Sequence, residues 1–377
     1  MDIFINGIGM TQFGNLKDRS LKSLLLEACE EAIKDAGSPK IDAVFIGNFM
    51  GGSVYNQEIL GALVANDLGL GHIPTAKVEG ACASGGIAFR QAYIGILSGE
   101  YDTVLVAGAE KMKHISTAEI TEAINAAMDN ESNEKHAGLT FPGFFGVLAN
   151  RYFYETGATK EHLAKVALKN RENAMNNRLA QFRQPTTLEE ITSAKMITDP
   201  LGLFDCSPIT DGAAAAVLSN KSSDIRIAAS AQASGPTQMQ NAEELLTLQA
   251  VEESGKEAYE KAGIGPEDID VVEIHDCFSM TEIISSEALG FFPKGEGYIA
   301  LDEGRTKPDG DVPINTSGGL LSKGHPIGAT GISQIFQVVQ QLRGNAPNQA
   351  ENARIGLAQN LGGTGAYSTV HIMERLG

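Results

Sequence analysis

What the sequence lacks narrows its chemistry first. The four cysteines (Cys29, Cys82, Cys206, Cys277) form no C-x-x-C pair, and the seven histidines and these cysteines show no zinc-ligand spacing. That excludes the common structural zinc modules, and no metal is expected. Separated cysteines without a secretory leader suit a reducing cytosol, where thiols stay free. Basic residues are few: 29 Lys and Arg stand against 47 Asp and Glu, a net charge of −18. This argues against nucleic acid or an anionic membrane surface as the main partner, and any polyanionic ligand must be met by a local basic patch. No window is long and apolar enough to form a membrane-spanning helix. The N-terminus, Met1-Asp2-Ile3-Phe4-Ile5, has the pattern of a strand, not of a signal core. A soluble, cytoplasmic protein is expected.

What is present is an α/β pattern of 377 residues, 42% hydrophobic and 20% charged, with 42 glycines clustered in short loops. Residues 2–9 predict a strand. Ser20 caps a helix with Leu21, Leu24, Leu25, Ala28, Ala32 and Ile33 as its inward stripe, ending at Gly37. Strand Ile41 to Ile46 follows, then a helix over about 56–68, and later the continuous apolar strand Thr103–Gly108. Strands alternating with helices predict a largely parallel sheet. From about 115 to 200 strand signals vanish, and Phe141-Pro142-Gly143-Phe144-Phe145 has the pattern of an aromatic turn. The second half repeats the first: Glu31–Gly37 before Ile41–Ile46 is matched by Glu257–Gly263 before Ile269–Ile274. Two halves follow, 1–225, carrying an insertion over about 115–200, and 226–377.

The organising stretch is Val78-Glu79-Gly80-Ala81-Cys82-Ala83-Ser84-Gly85-Gly86-Ile87. One cysteine sits among small residues where a helix opens, and unpaired N–H groups and the helix dipole favour its thiolate there. A buried structural cysteine has the same local signature. Three more places bear on the choice. Strand Val271–Ile274 runs into His275-Asp276-Cys277-Phe278, at the strand end where α/β crevices lie. Gly324-His325-Pro326-Ile327-Gly328-Ala329-Thr330-Gly331 puts His325 at a helix start. Ala358-Gln359-Asn360-Leu361-Gly362-Gly363-Thr364-Gly365 is a glycine-rich turn able to offer N–H donors. Taken singly, His275 also serves as a strand cap, Cys277 as core and the last turn as a plain hairpin. Together they fit thioester chemistry: a thiolate nucleophile, a histidine that takes its proton, N–H donors for an oxyanion, and a second thiol for proton transfer at carbon.

With those residues in view the chain resembles the thiolase superfamily along essentially its full length. The resemblance rests on Gly80–Gly86, Ala107-Gly108-Ala109-Glu110-Lys111-Met112, Asp211-Gly212-Ala213-Ala214 and Gly324–Gly331. It implies duplicated halves in a five-layer αβαβα sandwich with a loop domain inserted in the first half. One departure is informative. Thiolases usually carry an acid/base cysteine in a C-x-G turn, where this chain has Asn360-Leu361-Gly362, and N-E-A-F where it has His275-Asp276-Cys277-Phe278. That combination is similar to sterol-carrier-protein-type thiolases and their archaeal and bacterial relatives, the acetyl-CoA C-acetyltransferases, in which H-D-C-F supplies the second thiol.

The resemblance implies that Cys82 is acylated and that His325 activates it and helps hold the enolate. It places His275 where the family's water-holding asparagine lies, and makes Cys277 the acid/base. The N–H groups of Cys82 and Gly362 form a second oxyanion hole, and Ser230 lies along the pantetheine arm. The activity implied is a reversible Claisen condensation of acyl-CoA or acetyl-CoA to a 3-oxoacyl-CoA such as acetoacetyl-CoA, or its thiolysis. Coenzyme A is substrate, and no cofactor is expected. Two alternatives stand beside it: a ketoacyl synthase or other acyltransferase of the same fold, and a subunit active only with a small OB-fold, zinc-ribbon protein or a neighbouring synthase. A homodimer or homotetramer is expected. Phe141, Phe144, Phe145 and Met175 are candidates to shape the acyl pocket. Lys165, Lys169, Arg171, Arg178 and Lys323 are candidates to meet the coenzyme A phosphates.

Overall fold

A computed structural model describes residues 1–377. The chain opens with β1 (Phe4–Met10), α1 (Leu21–Asp35), β2 (Ala43–Gly47), α2 (Leu60–Asp67), β3 (Thr75–Val78), α3 (Ser84–Leu97) and β4 (Thr103–Glu110). Ser20 caps α1 through the Ser23 N–H, and Gly37, at φ +76°, ends it as expected. The second helix is shorter than the periodicity predicts. Asn56 and Ile59 have φ of +53° and +54°, so a right-handed turn cannot begin before Leu60.

The insertion is helical: α4 (Thr117–Ile124), α5 (Asn133–His136), α6 (Phe141–Thr156), α7 (Lys160–Asn176) and α8 (Leu188–Thr192), followed by a small hairpin, β5 (Met196–Thr198) with β6 (Leu201–Gly202). The expected aromatic turn at 141–145 is instead the start of α6. Thr140 caps it, and Pro142 sits in the first turn, where its missing N–H is not needed. The chain re-enters the sheet as β7 (Gly212–Ser219). It then continues through β8 (Ile225–Ser234), α9 (Gln249–Ala262), β9 (Val271–Glu273), α10 (Ser279–Ala288), α11 (Gly297–Asp302), α12 (Thr330–Leu342), β10 (Ile355–Gly362) and β11 (Tyr367–Arg375).

The strand order is β3-β2-β4-β7-β1-β8-β11-β10-β9, and the sheet is mixed, not largely parallel as expected: only β3-β2-β4 and β10-β9 run parallel, while β7, β1, β8 and β11 are antiparallel to their neighbours. Outward from the β1–β8 seam, β1-β7-β4-β2 is matched by β8-β11-β10-β9. The seam pairs Phe4 with Arg226 and Ile5 with Ile225, so the two half-sheets form one continuous nine-stranded sheet. The counterpart of β3 is reduced to one parallel bridge, Val272 to Ile314, where Pro313 has no N–H to extend the ladder.

Three apolar layers separate the elements. α1 and α2 pack on the outer face of the first half-sheet through Leu21, Leu25 and Val64 against Val44, Leu105 and Val217. α3 and α12 fill the middle, with Phe89, Ile96, Ile335 and Val339 between Val106 on one side and Val271 and Met373 on the other. α9 and α10 cover the outer face of the second half-sheet with Val251, Ala258 and Ile284. The order is αβαβα. The motif segments 107–112 and 211–214 hold each other. Asp211 accepts from Lys111 Nζ at 2.7 Å and from the N–H groups of Met112 and Lys113 at 2.7 and 2.8 Å.

The middle layer is where the halves touch most closely. A Cβ on Gly85 of α3 would lie 2.8 Å from the Gly328 carbonyl oxygen, and one on Gly331 of α12 would lie 2.3 Å from the Gly86 nitrogen. Backbone meets backbone there, with no room for a methyl group. Gly331→Ala is therefore expected to cost about 3 kcal/mol or more of stability, at or beyond the upper end of overpacking costs, because no flexible side chain can yield. Urea unfolding measures it; a midpoint equal to that of the parent would show that the two helices are not in backbone contact.

Candidate active site

Three helix N-termini converge on one cavity. Cys82 lies in the single turn Ala81–Ala83 in front of α3, with Ala81 held at φ +50°. Cys277 precedes α10, whose N-cap is Phe278. His325 follows Gly324 at φ +117° and precedes the turn Ile327–Ala329 that leads into α12. The segment returning from the insertion crosses between them. Ser207 N–H donates to the Cys277 carbonyl at 2.9 Å, and His325 N–H donates to Thr210 Oγ1 at 3.0 Å. The cavity, of about 180 Å³, is lined by Cys82, His275, Cys277, His325 and Gly363, with Phe141, Ile124 and Phe278 among its apolar walls.

The sequence brought out Cys82, His275, Cys277 and His325 from four separate places, and the fold brings all four together. The His275 and His325 rings stand edge-to-face, 5.0 Å between centroids at 87°. One ring nitrogen of each lies within 4.8 Å of the other and of Cys82 Sγ. Burial holds both histidines neutral: His325 is lowered to about 3, and His275 falls well below its usual value, with His325 beside it adding to the effect.

The thiolate expected at a helix start is not the resting form. Burial, followed by the nearby Glu110 carboxylate, pushes the Cys82 thiol up to about 12, against the pull of the Gly363 N–H on the sulfur. Burial likewise raises Cys277 well above its usual value, with Cys82 second. Both thiols therefore rest protonated, and a thiolate forms only by proton transfer to a neighbour.

Several expected positions lie elsewhere. The N–H that reaches Cys82 belongs to Gly363, one residue beyond the expected Gly362. Gly362 packs behind the turn, where an added Cβ would lie 2.4 Å from the Gly80 carbonyl oxygen. Ser230 is fully buried in β8 and bonds His371 Nδ1 at 3.0 Å, so it does not face the cavity. Its strand phase turns it toward His371, away from solvent. Of the aromatic candidates, Phe141 lines the cavity. Phe144 and Phe145 are core, Phe145 stacking on Phe278 at 4.8 Å, while Met175 is 44% exposed on α7. Lys169 and Lys323 are buried in ion pairs with Glu282 at 3.0 Å and Glu273 at 3.4 Å, and Lys165 bridges Glu161 and Asp302. Arg171 is stacked between the rings of Phe182 and Phe204. Of the five basic candidates only Arg178 is exposed without an ion pair. A single chain cannot reveal such pairings, because the acids lie more than a hundred residues from Lys165 and Lys169 except for Glu161.

The family model described as "Thiolase, N-terminal domain" matches residues 3–222, and that described as "Thiolase C-terminal domain-like" matches residues 231–375. The chain belongs to the thiolase family. Among its relatives are an acetyl-CoA acetyltransferase of Methanothermobacter thermautotrophicus, 44% identical over 99% of this chain and all of that one, and human sterol carrier protein 2, 33% identical over 97% of this chain and 70% of the other. Among solved structures, the Ltp2-ChsH2(DUF35) aldolase is similar with a TM-score of 0.85 and 26% identity, over 99% of this chain and 98% of that one.

For this thiolase, three supporting residues carried no clear signal in the sequence. Glu110 is buried and accepts from the N–H groups of Phe49, Met50 and Gly328, tying both halves beneath Cys82. Asp276 accepts from Leu320 N–H at 2.6 Å and Asn170 Nδ2 at 2.8 Å, and so fixes the turn between His275 and Cys277. Cys206 supplies a third thiol to the cavity wall. Glu110 and Asp276 lie inside the motif segments 107–112 and 275–278. A third buried histidine, His371, lies behind the site against Phe89 and is lowered to about 3 by burial, with Arg90 second. An unfolded histidine takes up its proton near pH ~6.5, so His371 contributes stability above that value which is lost as pH falls toward 3. The stability advantage of the parent over His371→Gln is expected to shrink by up to about 1.4 kcal/mol per pH unit between pH 6.5 and 4. Urea titrations across that range measure it, and a pH-independent difference would contradict a neutral buried His371.

Proposed function

We propose that the protein is a coenzyme A-dependent thiolase, with acetyl-CoA and acetoacetyl-CoA as its simplest substrate pair. The observation that carries this is two buried thiols and two neutral histidines on one cavity, each thiol at a helix N-terminus. His325 takes the proton of Cys82, the sulfur attacks the thioester carbonyl to give acyl-Cys82, and the departing coenzyme A sulfur takes the proton of Cys277 and leaves as the thiol. The Gly363 N–H and the Cys82 N–H stabilise the oxyanion, since they already meet the sulfur. Cys277, now the thiolate, removes a proton from the carbon next to the second thioester. His275 and His325 hold the enolate oxygen, the enolate attacks the acyl carbon, and the freed Cys82 sulfur takes its proton back from His325. Thiolysis is the same sequence reversed.

Names of relatives support the substrate class: acetyl-CoA acetyltransferase in two archaea, and a benzoylsuccinyl-CoA thiolase subunit in Thauera aromatica. The small apolar cavity supports a short acyl group. All four cysteines are free, which fits a reducing cytosol. The open edge of β3 fits association into a homodimer or homotetramer. No metal or other cofactor enters this scheme.

Cys82→Ala is expected to abolish transfer of radiolabelled acetyl from acetyl-CoA to the protein. Cys277→Ala is expected to keep that labelling and to lose condensation by at least about 100-fold, the usual range for a lost acid/base. Normal condensation by Cys277→Ala would sink the assignment of the second thiol, and would favour a decarboxylating synthase, tested with malonyl-CoA.

A second reading concerns assembly. The similar solved structure is named as an Ltp2-ChsH2(DUF35) aldolase, a pairing that favours a partner protein here as well, the expected candidates being a small OB-fold, zinc-ribbon protein or a neighbouring synthase. Purification from the native host, with turnover assayed before and after the partner is stripped, distinguishes the two. Full activity of the lone chain sets an obligate partner aside.

A further inference from the structure

Cys82, His275 and His325 place a sulfur and two ring nitrogens within 4.8 Å of one another. By donor type alone this is most of a tetrahedral zinc site. The partners on the far side of each ring decide otherwise, and they differ.

Thr330 Oγ1 has one hydrogen, which it donates to the Pro326 carbonyl at 3.0 Å. With that hydrogen on the carbonyl, the hydroxyl accepts from His325 Nδ1 at 2.7 Å. The geometry then assigns the His325 proton to Nδ1 and leaves Nε2 bare. Asn360 works in the opposite sense. Its Oδ1 accepts from the Gly86 N–H at 3.2 Å, and its Nδ2 donates to the Cys82 carbonyl at 2.9 Å. These are backbone groups of fixed and opposite polarity, so the amide has no flipped alternative. The same Nδ2 faces His275 Nδ1 at 2.9 Å, and that nitrogen must accept. His275 then carries its proton on Nε2.

We infer that Asn360 is a positioning residue that locks His275 in its Nε2–H form, so that the cavity at Cys82 is faced by one bare imidazole nitrogen and one N–H, and the three groups cannot close on a divalent metal. To ligate a metal, His275 would have to move its proton to Nδ1, directly against the Asn360 amide hydrogen, with both side chains buried. Metal-binding histidines have the reverse arrangement, with the far N–H donated to a carboxylate or carbonyl. The position at which the chain lacks a C-x-G cysteine is thus reused to set the polarity of the histidine beside Cys277. In the thiolase mechanism, on which this last point alone rests, bare Nε2 suits the atom that takes the thiol proton, and N–H suits an enolate oxygen.

Neutron diffraction from crystals of the intact protein near pH 7 locates the ring protons without any variant. Deuterium is expected on Nδ1 of His325 and on Nε2 of His275; deuterium on Nδ1 of His275 overturns the inference. Zn2+ is the second probe. In Asn360→Asp a carboxylate accepts from Nδ1–H and frees Nε2, so Zn2+ is expected to bind at least about 10-fold more tightly than to the parent, the lower end of outer-sphere effects on metal affinity. Competition with a chromophoric chelator measures it, alongside near-ultraviolet circular dichroism to show that the fold is kept. A folded Asn360→Asp with unchanged Zn2+ affinity overturns the metal-excluding role. Neither measurement uses turnover, so a parent protein that fails to transfer acetyl overturns the thiolase reading while leaving both results legible.

Discussion

The structure depends on one contact that contains almost no side chain. The first turns of α3 and α12, one from each half, approach until Gly85 lies against the Gly328 carbonyl and Gly331 against the Gly86 nitrogen. Only glycine permits that separation. Cys82 and His325 meet because each sits just before one of these two turns, and helix register carries the contact outward to the site. Gly108 and Gly47 extend it: an added Cβ on Gly108 would lie 2.1 Å from the Gly328 carbonyl oxygen. The glycines clustered around the motifs are therefore spacers for two halves, and the candidate active site is a property of the junction.

Burial at that junction sets the electrostatics. A helix N-terminus lowers a thiol modestly, whereas removal from water raises it by more, and here removal wins: Cys82 sits near 12 and Cys277 is also raised. The histidines are neutral for the same reason. Cys82, Cys277, His275 and His325 are all uncharged before substrate arrives. Supporting charges are kept out of the cavity as closed pairs, Lys169 with Glu282, Lys323 with Glu273 and Lys111 with Asp211. Leaving any one partner alone would strand a buried charge, which costs far more than the pair contributes.

The second half matches the strand order of the first with one difference. Where the first half has β3 leading into the Cys82 turn, the second has one bridged residue, Ile314, leading into the turn at Gly319–Lys323 and then His325. Asp276 reaches that turn through the N–H groups of Leu320 and Leu321 and reaches the insertion through Asn170. The H-D-C-F segment is thereby clamped from two sides. A thiol placed there has a fixed position, as it would on the C-x-G turn, and Asn360 is free to serve the histidine instead.

Local chemistry was enough to read much of this from the chain alone. Ser20 and Gly37 mark the ends of α1, the I-D-x-V-x-I repeat marks the duplication, and Cys82, His275, Cys277 and His325 each stand at a strand end or helix start, where period and punctuation are visible in one segment. Structure departs from these local signals where an outcome depends on a partner far along the chain. Lys169 and Lys323 look like free cations until Glu282 and Glu273 are beside them. Ser230 looks available until its strand phase buries it against His371, and Gly362 looks like the donor until the β10 turn presents Gly363 instead. Asn360 looked like a missing cysteine, and only contact with Gly86, Cys82 and His275 gives it a role. Residue type and spacing determined which groups were present and which chemistry they could perform. Tertiary structure decided their protonation and hydrogen-bond polarity, because both are set by burial and by neighbours that the sequence places elsewhere.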